Sequence, residues 1–240
     1  MTQKITAITG SSGALGIELK KYFPNALCPT HEKLDICDQD QVQNYFQENK
    51  INNVIHTAAM TSVRECEKNK ELAWKTNVEG TKNMVKAFKK TNGNYFVYIS
   101  TACVFSGDEY SYTEESIPYP VNFYGMTKLI AEESVETIKK HLVIRTNFVA
   151  KKTWPYPKAF TDRFGTYLFS ANVAKGIKEL FDEKIDGKIH LAGDKILSMY
   201  DLAKITTKKV KPMTLDEYSG PHLTKNMTLD TKRWKKYTIT

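Results

Sequence analysis

The chain has 240 residues, enough for one sizeable buried core, and is 41% hydrophobic, with no apolar run near the roughly 18–20 residues that a membrane-spanning helix needs. Its start lacks the charged-then-apolar pattern of a signal peptide, and Cys28, Cys37, Cys66 and Cys103 show no Cys-x-x-Cys spacing. A cytoplasmic protein with reduced thiols and neither metal site nor membrane contact is therefore expected. The formal charge is +8, and residues 201–240 hold nine Lys/Arg against four Asp/Glu. Without a nucleic-acid motif this reads as a solvated basic surface that also suits a small anionic substrate.

Strand-like runs at 3–9, 26–28, 53–57, 95–101, 142–148 and 188–192 alternate with helical stretches at about 13–23, 38–49, 66–91, 122–140 and 170–184. That alternation predicts an α/β fold, a Rossmann-like doubly wound parallel sheet wrapped by helices. Residues 1–150, completed by 166–193, are expected to form the dinucleotide-binding domain. The aromatic, Pro-stiffened loop at 151–165 and residues 194–240 are expected to form a small substrate lobe over the strand ends.

In chain order, the first strand KITAIT runs into TGSSGALG and then the helical IELKKYF. Gly10, Gly13 and Gly16 let the backbone approach a pyrophosphate, and the N–H groups at the helix start favour its charge. Gly10, Ser11, Ser12, Gly13, Ala14, Leu15 and Gly16 are the predicted phosphate cradle; a merely flexible turn is the alternative. After the second strand comes ALCPTHEKLDICD, where Thr30, His31 and Lys33 stand near the expected ribose 2′ position and Glu32 is the one acid among them. This predicts NADPH, with NADH possible, and places Asp35 and Ile36 beside the adenine.

The strand YFVYISTACVF ends in the hydroxyl of Thr101, and NFYGMTK follows about twenty residues on, with Tyr124 and Lys128 one helical turn apart. A cation near a phenol lowers its pKa, so Lys128 would tune Tyr124 as a general acid while Thr101 holds a substrate carbonyl. Tyr200 and Lys204 repeat the spacing inside SMYDLAKI, but no hydroxyl-ended strand precedes them and they read as surface. Cys103, two residues beyond Thr101 on an extended strand, would face the substrate; the alternative is a buried thiol acting as a small hydrophobe.

Together TGSSGALG, LDICD, VIHTAAMTSVRECEKN, TNVEGTKN, YISTACVF, NFYGMTKLIAEE, VIRTNFV, KIHLAG and MTLDTKRW resemble an extended short-chain dehydrogenase/reductase of the dTDP-4-dehydrorhamnose reductase group. The resemblance implies Thr101, Tyr124 and Lys128 as the catalytic set. It further implies Ala58, Ala59 and Thr61 along the cofactor, Val63 and Asn147 near a nucleotide-sugar substrate, and a possible homodimer through the helices around 66–91 and 122–140. It departs from the group at Ala102, Cys103 and Arg64, and in a shortened span before the helix at 170. The leading expectation is NADPH-dependent reduction of a nucleotide-linked 4-keto-6-deoxy sugar. One alternative adds 3,5-epimerisation, with Cys103 exchanging protons and Lys158 or Arg163 stabilising the enolate. The other is a non-catalytic NADP-binding regulatory subunit.

Overall fold

The structure, a computed structural model, describes residues 4–240. Five strands, β1 (Ile5–Thr9), β2 (Ile51–His56), β3 (Tyr95–Thr101), β4 (His141–Thr146) and β5 (Gly187–Leu191), pair in parallel in that spatial order. β3 is buried along its whole length, as expected of a central strand covered on both faces. Residue 3, where the first predicted strand begins, lies outside the described residues. The strand predicted at 26–28 is a single parallel bridge from Leu27 to Ala7, held by Ile8 N donating to Leu27 O and Leu27 N to Thr6 O, both at 2.8 Å. Pro24 and Pro29 bracket it and offer no N–H to lengthen the ladder.

Side chains of successive strand residues face opposite ways, and each face gathers its own helices. Ile8, Val97 and Ile144 meet Leu15 and Leu19 of α1 (Ala14–Tyr22) and Val173, Ile177 and Leu180 of α7 (Ser170–Asp182). Ala7, Val54, Phe96 and Val143 meet α2 (Gln39–Glu48) through Val42 and Phe46, α5 (Gly80–Lys90) through Met84 and Phe88, and α6 (Phe123–Glu136) through Ala131 and Val135. The chain leaves β1 for Leu27 on one side and comes back to β2 on the other. The ends of β1 and β2 thus form the switch point at which open α/β sheets bind ligands. No described helix is long and apolar enough to cross a membrane.

The helix predicted over 66–91 is broken into α3 (Val63–Lys68), α4 (Lys70–Trp74), a π-turn at Lys75–Glu79 and α5. Asn69 causes the first break: its side chain accepts from Leu72 N at 3.1 Å and caps α4, an alternative to continuing the helix. The π-turn brings Asn77 inward, where its carboxamide accepts from Met60 N at 2.8 Å and donates to Met60 O and Thr127 Oγ1, each at 3.0 Å. This one side chain ties the segment that follows β2 to Thr127 of α6.

Beyond the strand ends, short pairings assemble a third apolar cluster around Phe105, Tyr112, Tyr167, Phe169, Met227 and Leu229. Phe148–Val149 pairs with Leu168–Phe169, Lys158–Phe160 with Lys211–Met213, and Phe164–Gly165 lies between Leu197–Ser198 and Asn226–Met227. Tyr112 N donates to Thr228 O at 2.9 Å, and Tyr112 O accepts from Asp230 N at 2.8 Å. α8 (Met199–Thr206) packs against the edge of this region through Leu202.

Candidate active site

The glycine turn is shaped for close approach. Gly10 has φ +66°, a left-handed conformation that favours glycine, and a Cβ there would lie 2.7 Å from Ala58 N. A Cβ on Gly16 would come within 2.5 Å of Ser11 Cα, so the helix can lie against the turn only without one. Gly13 N donates to Gly10 O at 3.0 Å, and α1 begins with no side-chain cap and no acid in its first turn. Its leading N–H groups are left for an anion, and the turn fits a dinucleotide phosphate.

A cavity of about 660 Å³ runs from this turn along Ala58, Ala59 and Thr61 to Thr101, Tyr124 and Lys128, and on to Asn147, Arg163, Tyr167, Met199 and Met227. Thr101 closes β3, while Tyr124 and Lys128 lie on α6, whose Asn122 cap accepts from Gly125 N at 2.9 Å. Gly125 is required beside Tyr124, because a Cβ there would meet Cys103 C at 2.9 Å. Burial holds the Tyr124 phenol above its ordinary pKa, with the nearby Cys103 adding to the effect and the Thr101 hydroxyl opposing it. The lowering by Lys128 expected from the sequence is not among the influences on the phenol; a phenol that stays protonated is the right form for donating a proton. Burial also lowers Lys128 to about 7, although Glu132 one turn on holds it up. Its Nζ lies 4.1 Å from the Tyr98 ring centroid.

Behind β3 sits a fully buried ion pair. Arg145 of β4 donates through Nη2 to Glu132 Oε2 at 2.6 Å and through Nε to both carboxylate oxygens at 3.1 and 3.2 Å. Ser100, the residue before Thr101, donates to the same carboxylate.

A second cavity of about 600 Å³ shares Gly10, Ser12, Ala58 and Ala59 with the first and extends past Ser11, Thr30, His31, Asp35, Ile36, Lys75 and Thr76. Neither Glu32 nor Lys33, which the sequence reading placed near the ribose 2′ position, lines it; Lys75, from the π-turn, does. Asp35 is engaged locally, accepting from Cys37 N at 2.9 Å. Ile36 is mostly core, its side chain packed where a Cβ on Gly80 would fall.

Three predicted residues take other places. β3 ends at Thr101, whose Oγ1 accepts from Cys103 N at 3.1 Å and folds Ala102–Val104 into a 3-10 turn. The Cys103 thiol therefore turns into the apolar cluster, 3.6 Å from Met227 Sδ, and does not line the cavity. Lys158 is half-exposed and paired with Glu217 at 2.9 Å. Val63 opens α3 and packs on the same apolar cluster as Cys103. Asn147 does reach the cavity, its Nδ2 donating to Met227 O at 2.5 Å. Tyr200 and Lys204 stay on α8, the ammonium 5.3 Å from the ring centroid. Tyr167, Met199, Met227 and Lys75 were not anticipated; they arrive through pairings distant in sequence, with no local pattern to mark them.

The fold recurs in known proteins. A dTDP-4-dehydrorhamnose reductase from Clostridium acetobutylicum superimposes with a TM-score of 0.85 at 30% identity, over 94% of this chain and 90% of that one. The reductase of the same name from Bacillus anthracis, solved in complex with NADP, gives 0.87 at 26% identity over 95% and 91%. Methionine adenosyltransferase 2 subunit beta of Rattus norvegicus is 26% identical over 93% of this chain and 79% of its own length. The model of the RmlD substrate binding domain matches residues 4–239, and the chain belongs to that family, within the extended short-chain dehydrogenase/reductases.

Proposed function

We propose that the protein reduces the 4-keto group of a nucleotide-linked 4-keto-6-deoxy sugar, with NADPH as electron donor. The observation that carries this reading is the convergence of Thr101, Tyr124 and Lys128 on one cavity with the glycine cradle. NADPH, when bound, supplies a hydride. Tyr124, held protonated by burial, gives its proton to the developing alkoxide; Thr101 donates a hydrogen bond to the same oxygen. Lys128, charged below about pH 7, stabilises the phenolate left behind. Lys75 and His31 beside the second cavity favour a 2′-phosphate, and Asp35 is occupied by its own turn. The names of the two reductase neighbours support the substrate class.

The test is NADPH oxidation with a panel of dTDP- and UDP-linked 4-keto-6-deoxy sugars. Turnover of at least one, with NADPH binding more tightly than NADH, is expected. Tight NADPH binding without oxidation of any panel member would reject the reading and leave the regulatory-subunit alternative. The buried position of Cys103 argues against added epimerisation.

A further inference from the structure

The far end of the cavity holds a cation with no anion. Arg163 is 9% exposed and lines the cavity, yet its guanidinium pairs with no carboxylate among the described residues. Its one strong acceptor is Thr224 O, 2.9 Å from Nε; Nη1 meets Met199 Sδ at 3.8 Å and Nη2 meets Met227 Sδ at 3.3 Å. Thioethers are weak acceptors, so most of the donor fork remains unspent. The neighbouring Asp162 makes no ion pair with it; both its carboxylate oxygens face Leu215 N at 3.0 Å.

A second unspent group lies beside it. Tyr167 is 3% exposed and lines the same cavity, and its hydroxyl has no hydrogen-bond partner. Two glycines fix the residue: a Cβ on Gly165 would lie 3.0 Å from the phenol ring, and one on Gly193 would lie 2.7 Å from Tyr167 O. Burial pushes the phenol up to about 12 while Arg163 pulls the other way, so the hydroxyl stays a donor at neutral pH. The walls around the pair are Met199 and Met227, and the Asn147 amide is committed to Met227 O.

We propose that Arg163 and Tyr167 form an oxyanion subsite that grips a two-oxygen anionic group of the substrate. A planar guanidinium with free N–H groups matches such a group in a bidentate manner, and a buried charge is relieved by an anion and not by a neutral hydroxyl. In a nucleotide sugar the group is a diphosphate; on a carboxylated sugar ring it is a carboxylate. The proposal rests on the nucleotide-sugar reading only for the choice of these two sources. It also gives Arg163 a role that does not require proton exchange.

The test is calorimetric titration of the whole protein with thymidine diphosphate, thymidine and glucuronate, with NADPH titration as the control for an intact fold. Arg163→Gln is expected to weaken thymidine diphosphate binding by roughly tenfold to a hundredfold, the range of a lost charged hydrogen bond. Tyr167→Phe should weaken it by a smaller factor, Arg163→Lys should fall between wild type and Gln, and thymidine and NADPH should bind as before. If Arg163→Gln loses glucuronate and keeps thymidine diphosphate, the anion gripped is the carboxylate, and the subsite stands. Equal affinities for both anions in wild type and the Gln and Lys variants would overturn it. Should Gln disturb NADPH binding, the Lys and Tyr167→Phe variants decide alone. Binding through Arg163 in a protein that oxidises no NADPH would refute the reductase reading and leave the subsite in place.

Discussion

Replacing Glu132 by Gln strips the negative charge from the buried pair beneath β3. Glu132 and Arg145 are 0% and 1% exposed, so no solvent screens either ion. The carboxylate takes three contacts from the guanidinium at 2.6–3.2 Å and a fourth from Ser100. With Gln at 132, Arg145 stays charged and buried, its guanidinium 5.1 Å from the Phe105 ring centroid. Removing one partner of such a pair costs about 3–5 kcal/mol. At about 2–4 °C per kcal/mol for a chain of this size, the melting temperature should fall by roughly 6–20 °C. The double change Glu132→Leu with Arg145→Met removes both charges and should recover most of the loss, because the desolvation cost disappears with the attraction. Urea unfolding followed by tryptophan fluorescence, with calorimetric melts in parallel, measures Glu132→Gln and the cycle of wild type, Glu132→Leu, Arg145→Met and their double. A single-variant loss below about 1 kcal/mol, or a double variant as unstable as the sum of its singles, would refute the reasoning.

Tyr124→Phe should lower turnover by about a hundredfold or more while NADPH affinity is kept, since a proton donor is lost and the shape is not; steady-state kinetics with fluorescence titration check both. The kcat/KM profile for reduction should decline as pH rises through about 7, where Lys128 loses its proton, and Glu132→Gln should move the inflection to lower pH because Glu132 holds Lys128 up. His56 is buried between Thr9 and Thr81, which lowers it to about 3 from 6.5. Between those values the unfolded chain binds the extra proton, so stability present above pH 6.5 is lost on acidification, and His56→Asn should flatten urea midpoints measured between pH 5 and 7.5. Cys103→Ala should leave reduction nearly unchanged and lower the melting temperature by a few degrees, a cavity effect in the Met227 cluster.

The doubly wound sheet was legible because strands buried on both faces leave apolar runs that no other element explains, and because Gly10 and Gly16 are demanded by steric contacts within a few residues of each other or of Ala58. Thr101, Tyr124 and Lys128 could be read together since one ends a strand and the others share a helix face. What failed was extrapolation across a local hydrogen bond. Thr101 takes Cys103 N and ends the strand, and Asn69 caps a new helix inside an apparently continuous one. Lys158 was misread because its partner Glu217 is 59 residues away. Tyr167 and Met227 were invisible for the same reason: their meeting is decided by strand pairings that no periodicity encodes.

The cavity's two ends differ in how far along the chain their parts must be gathered. The phosphate turn, β2 and α6 are tied by contacts 48 to 50 residues apart, from Thr57 to Thr9 and from Asn77 to Thr127, whereas the far wall joins Asn147 to Met227 and Arg163 to Thr224, 80 and 61 residues apart, and Tyr112 to Thr228, farther still. Closing such long loops carries an entropic cost before any contact repays it. The far wall should therefore condense last as the protein folds and be the first region to open in the native state. Amide hydrogens at 224–230 should exchange faster than those of β3, and a substrate gripped there would slow them while a dinucleotide alone would not.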